Sequence, residues 1–218
     1  MDEKIKIIEL DFVNAFLVRV QDGFVLIDTG MAQHWEKLEG VLLSSGCLPD
    51  KIKLVIITHG DRDHIGNCAK LQEKYKSKIA MHEADILMAE NDVFLKRKVR
   101  TLAGKIMILL ARLRRLKMSF RKFKPDILLQ DGQDLKEYGF NAKIMHLPGH
   151  TKGSIGILTE EGDLFAGDTF VNLRKPDIAI FVDNFSELKD SIKKLKSLNI
   201  KKVYPGHGKV FLFSDLNL

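Results

Sequence analysis

Short apolar runs, separated by glycines and polar residues, divide the chain into predicted strands. In the first half these runs occupy residues 5–8, 15–18, 24–27, 54–57 and 79–81. They are short and largely aliphatic or β-branched, which is typical of buried strands. Asp22-Gly23 predicts a hairpin turn before the third run. The helical spacing of Trp35, Leu38 and Leu42 predicts a helix over 31–45, and a second helix follows Ile65.

The second half of the chain repeats this order of strands followed by a helix. Its predicted strands occupy residues 126–129, 141–145, 154–158, 164–166 and 202–204. Leu188, Ile192 and Leu195 follow helical spacing, and Ser186 is the predicted N-cap of a helix over 187–198. Two halves of the same kind favour two packed sheets with helices on their outer faces.

The stretch from Thr58 to His64 carries four residues that can bind a metal, all within six positions. In an extended loop, His59, Asp61 and Asp63 point to one side, because strand side chains alternate. His64 then enters from the turn into the helix. Two imidazoles and two carboxylates that converge on one point repel or desolvate one another unless a cation lies among them. The stretch therefore predicts a metal site, with a polar surface loop as the alternative.

Three distant segments have the same organisation, in which an apolar run leads into a turn that contains glycine. These segments carry His150 in Leu147–Thr151, Asp168 in Gly167–Thr169 and His207 in Pro205–Gly208. Because four such segments occur in one chain, a chance arrangement becomes a poor explanation.

With these motifs the sequence resembles the metallo-β-lactamase-fold hydrolase superfamily, over nearly the whole chain. The family pattern is H-x-H-x-D-H, followed by a GHT histidine, a GD aspartate and a late GH histidine. The resemblance implies an α+β fold, a four-layer αββα sandwich, in a single domain over residues 1–218. It also implies a dinuclear site: His59 and His150 at the first metal, Asp63, His64 and His207 at the second, and Asp168 as the bridge.

One position departs from the family pattern, because Asp61 stands where the second histidine is expected. The resemblance implies two divalent metal ions, with zinc as the expected metal. A carboxylate at position 61 also admits iron or manganese, since oxygen-rich sites favour harder metals. If Asp61 is too short to reach, the second site alone holds a metal.

The resemblance implies a metal-dependent hydrolase in which a metal-bound hydroxide attacks an ester, thioester, lactone or phosphodiester. Asp63 is the expected catalytic residue, which positions or deprotonates the nucleophile. Two other classes stay open. Flavodiiron proteins carry a carboxylate at the position of Asp61, so a diiron redox protein is one alternative, although the chain has no flavin-binding domain. A non-catalytic metal-binding protein is the other.

The positive net charge of +6 is concentrated in one segment. Residues 94–124 contain 12 Lys and Arg and no Asp or Glu. Helical spacing within about 92–124 predicts a basic helical insertion. A solvated basic face, a lid that attracts anionic substrates and a membrane-surface helix are its interpretations, in that order. We expect a small-molecule substrate and no nucleic acid, because no aromatic pattern accompanies the charge. The sequence gives no indication of the oligomeric state.

The two cysteines, Cys47 and Cys68, predict no disulfide framework, and the N-terminal residues carry no apolar signal core. We therefore expect a cytoplasmic protein. Three further histidines are assigned outside the site: His34 as a surface residue, His146 as structural, and His82 as a strand-end residue without the motif. Asp28 ends a predicted strand, and its role stays open between capping a turn and supporting a metal ligand.

Overall fold

The computed structural model describes residues 4–91, 98–102, 104–106 and 120–218, and it consists of two large β-sheets with helices on their outer faces. The first sheet has the strand order β1-β2-β3-β4-β5-β7. These strands are β1 (Ile5–Leu10), β2 (Val13–Val20), β3 (Gly23–Ile27), β4 (Ile52–Ile56), β5 (Ile79–His82) and β7 (Ile127–Leu129). β1, β2 and β3 pair antiparallel, whereas β3, β4, β5 and β7 are parallel. The carboxyl ends of β3, β4 and β5 therefore meet at one edge.

The second sheet has the order β14-β13-β10-β9-β8, and β11 pairs with β10. Its strands are β8 (Ala142–His146), β9 (Ile155–Thr159), β10 (Asp163–Asn172), β11 (Asp177–Ile178), β13 (Lys202–Gly208) and β14 (Phe211–Leu212). β10 and β13 are parallel neighbours, so residues far apart in sequence lie side by side on them. A further ribbon joins β6 (Lys98–Val99) and β12 (Phe181–Val182).

Five α-helices are assigned within the described residues: α1 (Trp35–Ser44), α2 (Arg62–Ile65), α3 (Cys68–Tyr75), α4 (Ile86–Asn91) and α5 (Phe185–Lys196). Leu38 and Leu42 of α1 and Leu71 of α3 pack on the outer face of the first sheet. Leu188 and Ile192 of α5 pack on the outer face of the second. The layers are therefore helix, sheet, sheet and helix, and the predicted αββα sandwich is confirmed.

The central core lies between the two sheets and explains the apolar runs of the sequence. Along β4, Leu54 and Ile56 face the second sheet, while Val55 faces the outer helices. Both faces of this sheet are covered, so its strands are apolar throughout rather than alternating. Phe165 of β10 fills the centre, fully buried against the rings of Phe16 and Tyr204.

The predicted N-cap of the last helix is wrong. The helix begins at Phe185, and the side chain of Asn184 accepts hydrogen bonds from the backbone N–H groups of Ser186 and Glu187. Asn and Ser are both good N-caps, so the sequence pattern could not choose between two candidates two residues apart.

Most of the predicted basic helical insertion lies outside the described residues, and so does most of its apolar face. The described parts contact the rest of the chain at several points. Val99 pairs with Phe181, the Arg100 guanidinium lies 2.7 Å from the Asp177 carboxylate, and Phe123 is buried in the first outer core. The interpretations of this segment stay predictions. Among the described residues, none of the helices combines the length and the apolar character that crossing a bilayer requires.

The central core can be tested by truncating Phe165. Phe165→Ala should lower the free energy of unfolding by about 3–5 kcal/mol, because it leaves a cavity between the sheets. Denaturant unfolding followed by circular dichroism measures this loss. Leu128→Ala is the control, since Leu128 is 48% exposed on β7, and it should cost about 0.5 kcal/mol or less. Equal losses for the two variants would contradict the assigned core.

Candidate metal centre

The candidate ligands lie at one end of the sandwich, delivered by strands of both sheets. His59 follows β4 by three residues, and Asp61 precedes α2, which carries Asp63 and His64. His150 follows β8, whereas Asp168 lies within β10 and His207 within β13. The structure brings together all seven side chains that the sequence analysis singled out.

His59, Asp61 and His150 form the first cluster. Asp61 Oδ2 lies 3.4 Å from His59 Nε2 and 3.2 Å from His150 Nε2. One ligand-type atom from each residue lies within 4.8 Å of the others, which is close enough to share one ion. The carboxylate of Asp61 therefore extends to the two histidines, and the alternative that it is too short finds no support in this geometry.

Asp63, His64 and His207 form the second cluster, again with ligand-type atoms within 4.8 Å of one another. Asp168 lies between the clusters. Its Oδ1 is 3.4 Å from His64 Nε2, and its Oδ2 is 3.2 Å from His207 Nε2 and 3.6 Å from His150 Nε2. Oδ1 thus faces the second cluster, whereas Oδ2 lies within 3.6 Å of a histidine of each cluster, which is the position that a bridging ligand needs.

Each of the four imidazoles is oriented by a hydrogen bond at Nδ1. The partners are the hydroxyl of Thr58 for His59, the carboxylate of Asp28 for His64, the carbonyl of Phe181 for His150 and the carbonyl of Phe12 for His207. An imidazole that donates from Nδ1 presents an unprotonated Nε2 when neutral. All four Nε2 atoms face the centre, as required for metal ligands that are held by a neighbouring acceptor.

Asp28 supports two ligands, which answers the question that the sequence left open. Its buried carboxylate accepts hydrogen bonds from the backbone N–H and hydroxyl of Thr58 and from His64 Nδ1, at 2.7–2.8 Å. Its φ of +57° is uncommon for a residue with a side chain. The Thr58 hydroxyl, which donates to Asp28, can accept from His59 Nδ1. One carboxylate thus orients a histidine of each cluster.

Phe12 and Asn14 are supporting residues that sequence reasoning missed. The Phe12 carbonyl lies 2.6 Å from His207 Nδ1, and its ring stacks on the imidazole with centroids 5.7 Å apart. The Asn14 amide donates to the carbonyls of Pro205 and Gly208 and so holds the segment that carries His207. Every residue has a backbone carbonyl, so the sequence does not indicate which one accepts from His207. Only the structure identifies Phe12 as that residue.

The donor set fits a pair of divalent cations. Within the part of the chain that the structure describes, His59 Nε2, His64 Nε2 and Asp168 Oδ1 are buried without a hydrogen-bond partner. Such atoms carry a desolvation cost that a bound cation removes. Four imidazoles and three carboxylates are also the ligand types that zinc and iron take in proteins.

The pKa of His59 in the first cluster and that of His207 in the second are shifted in opposite directions. Burial lowers the pKa of His59, and repulsion from His64 lowers it further. Burial opposes protonation of His207 as well, but the carboxylates of Asp168 and Asp63 raise its pKa to about 9. Since a metal ligand must be deprotonated, protons compete with a cation for the second cluster, and the competition strengthens as the pH falls.

The three remaining histidines lie outside both clusters. His34 is 6% exposed and bonds through Nε2 to the Asp11 carboxylate at 2.9 Å, so the prediction of a surface residue is wrong. A Cβ atom at Gly30 would lie 3.4 Å from His34 Nδ1, so the imidazole packs beside this glycine, a contact that helical periodicity does not reveal. The rings of His82 and His146 stack 4.0 Å apart, and His146 Nε2 bonds the Lys152 carbonyl.

The sequence matches the family model of the metallo-beta-lactamase superfamily over residues 8–207. The chain therefore belongs to this superfamily, and the predicted family of metallo-hydrolases is confirmed.

Two curated members of the superfamily are similar to this chain in sequence. The chain is 29% identical over 158 residues to a hydroxyacylglutathione hydrolase of Pelagibacter ubique, covering 72% of this chain and 52% of that protein. It is 27% identical over 217 residues to the acyl-coenzyme A thioesterase MBLAC2 of Homo sapiens, covering 91% and 74%. The chain spans 50–60% of the length of several other curated relatives.

One solved structure is similar in fold, in length and in sequence. TTHA1623, determined in a di-iron-bound form, superposes with a TM-score of 0.71 at 26% identity, covering 96% of this chain and 94% of that one. That protein holds two irons on the same fold.

The assignment of ligands can be tested by comparing two buried histidines. His207→Ala should lower the metal content of the purified chain by about one ion, because it removes a ligand of the second cluster. His34→Ala should leave the content unchanged, although His34 is more deeply buried than His207 and is likewise hydrogen-bonded. Inductively coupled plasma mass spectrometry measures both. If His34→Ala strips metal, or His207→Ala does not, the ligand set is wrong.

Proposed function

We propose that the chain is a metal-dependent hydrolase that cleaves thioesters at a dinuclear metal centre. The observation that carries this proposal is the pair of three-residue clusters joined by Asp168. The thioester bond is supported by the names of two relatives, a hydroxyacylglutathione hydrolase and an acyl-coenzyme A thioesterase. This chain matches 52% and 74% of the length of these two relatives. Their names are the reason for choosing a thioester over an ester, a lactone or a phosphodiester.

In this proposal His59, Asp61 and His150 would hold the first cation, Asp63, His64 and His207 would hold the second, and Asp168 would be available to both. Two divalent cations in such a site would lower the pKa of a water molecule and polarise the scissile carbonyl. The chain supplies the fixed geometry. Asp28 and the backbone carbonyls hold the imidazoles in one tautomer, so little reorganisation accompanies each turnover.

Asp63 is the proposed catalytic residue. Its side chain is 14% exposed, whereas that of His64 beside it is fully buried. The carboxylate therefore lies where the cluster opens to solvent, in reach of a water molecule. There it would orient the attacking water and accept its proton, a contribution worth about 10²–10⁴-fold in rate for a positioned base.

Asp61 bears on which metal is bound. A carboxylate in place of an imidazole makes the first cluster richer in oxygen, which shifts preference from zinc toward iron or manganese. The di-iron form of TTHA1623 also supports iron. These two observations favour a second candidate function, a diiron redox protein. It predicts a visible absorption spectrum that changes on reduction, together with absence of hydrolysis.

An anionic thioester is the proposed substrate class, because residues 94–124 give the chain a concentrated positive charge. We also propose a single domain over residues 1–218 that includes the basic segment at about 92–124. The family match over residues 8–207 supports this organisation. Localisation in the cytoplasm stays a prediction.

The proposed activity is tested with a panel of acyl-glutathione and acyl-coenzyme A thioesters, beside an aryl ester, a lactone and a phosphodiester. The metal-loaded chain should hydrolyse a thioester fastest, judged by kcat/KM. Asp63→Ala should lower kcat by about 10²-fold or more. Asp50→Ala is the control, since Asp50 is exposed, and it should leave kcat unchanged.

If the chain prefers the phosphodiester or the lactone, the proposed thioester substrate is wrong, but the assignment as a hydrolase stands. Two irons with a reducible spectrum and no hydrolysis of any substrate would replace the hydrolase with the redox protein.

A further inference from the structure

A buried carboxylate outside the ligand set joins the two loops that carry the first cluster. Asp85 lies in a 3-10 turn directly after β5 and is 1% exposed. Its Oδ2 accepts hydrogen bonds from the Gly60 backbone N–H at 2.9 Å and from the Thr151 hydroxyl at 2.7 Å. Its Oδ1 accepts one from the Gly153 backbone N–H at 2.8 Å.

The three donors are close in sequence to the candidate ligands of the first cluster. Gly60 lies between His59 and Asp61, and Thr151 directly follows His150. The loop at Gly60 leaves the first sheet after β4, whereas the loop at Thr151 leaves the second sheet after β8. One carboxylate therefore ties together the two sheets at the point where they place the first cluster.

The contact is tightly packed on the side of the second loop. A Cβ atom at Gly153 would lie 2.6 Å from Asp85 Cγ, so glycine is needed for the carboxylate to approach. The Ser154 hydroxyl lies 2.7 Å from the Thr151 hydroxyl and accepts from the Thr151 backbone N–H. Because the Thr151 hydroxyl donates to Asp85, it accepts from Ser154, and the whole turn after His150 is fixed.

The second cluster is held by other groups. Asp28 bonds His64, the Phe12 carbonyl bonds His207, and Asn14 holds the strand around His207. A change at Asp85 thus acts on the spacing between His59 and His150 and leaves these supports in place.

We propose that Asp85 is a positioning residue that sets the separation of the two loops of the first cluster, and with it the metal affinity of that cluster. The inference rests on the proposed function insofar as it requires metal in both clusters. The three hydrogen bonds of Asp85 are to Gly60, Thr151 and Gly153 and not to any of the seven candidate ligand side chains, so its effect on the metal is indirect.

The test is a zinc titration of the ion-free full chain against a chromophoric chelator, with wild type and Asp85→Asn in parallel. Asparagine has the same shape, but its amide N–H₂ faces a donor where the carboxylate oxygen accepted. His150→Ala and His207→Ala assign the two binding steps, since each removes a ligand of one cluster. Asp85→Asn should weaken the first-cluster step about 10–100-fold and leave the second unchanged.

Three further variants separate positioning from general destabilisation. Thr151→Val removes one of the three donors and should weaken the same step to a smaller extent. Thr151→Ser keeps the hydroxyl and should restore wild-type affinity. Asp126→Asn is the matched control, because the Asp126 carboxylate accepts from the Ile79 backbone N–H at the opposite end of β5. It should change neither step.

Amide hydrogen exchange of the ion-free chain gives a readout without metal. Asp85→Asn should speed exchange at Gly60 and Gly153, and Thr151→Val gives the same measurement if Asp85→Asn does not fold. Unchanged exchange, or equal weakening of both zinc steps, overturns the positioning role. A wild type that binds fewer than two zinc ions overturns the dinuclear centre instead, and the exchange data then still decide whether Asp85 ties the loops.

Discussion

The fold is organised around the cost of holding seven polar side chains together at one buried end of the sandwich. Imidazoles and carboxylates lose hydration there, and each must recover it from a hydrogen bond, an opposite charge or a cation. The two sheets meet this requirement jointly. The parallel strands of the first sheet bring Asp28 and His59 to one edge, and the parallel pair β10 and β13 places Asp168 beside His207. Neither sheet alone holds a complete cluster.

Two aspartates that are not proposed ligands reinforce this arrangement from the ends of neighbouring strands. Asp28 follows β3 and hydrogen-bonds His64 directly, whereas Asp85 follows β5 and accepts hydrogen bonds from two backbone N–H groups and one hydroxyl of the loops. His59 follows β4, between them in the sheet order. Short charge-assisted hydrogen bonds to buried N–H groups are among the stronger interactions available to a protein, so both loops are held rigidly.

The sequence predicted the layers, and it singled out seven side chains that the structure brings together, for a physical reason. A buried strand must be apolar, so a histidine or aspartate within a few residues of the end of an apolar run stands out, and His59, His150 and Asp168 do so. Apart from the basic insertion, most of which lies outside the described residues, the predicted helices and strands recur in the structure with boundaries displaced by a few residues. Asp85 was missed because its partners, two backbone N–H groups and the Thr151 hydroxyl, lie 25 to 68 residues away, and His34 because helical periodicity does not report its hydrogen bond to Asp11. The Asn184 cap was missed because Ser186 is an equally good candidate.

Anomalous X-ray diffraction from crystals grown without added metal tests most directly whether each cluster holds one metal ion. Data collected at the iron and zinc edges locate and identify each ion. We expect two peaks about 3.5–4 Å apart, one among His59, Asp61 and His150, the other among Asp63, His64 and His207, with Asp168 between them. One peak alone, at the second cluster with Asp61 turned away, or peaks elsewhere in the chain, would contradict this expectation.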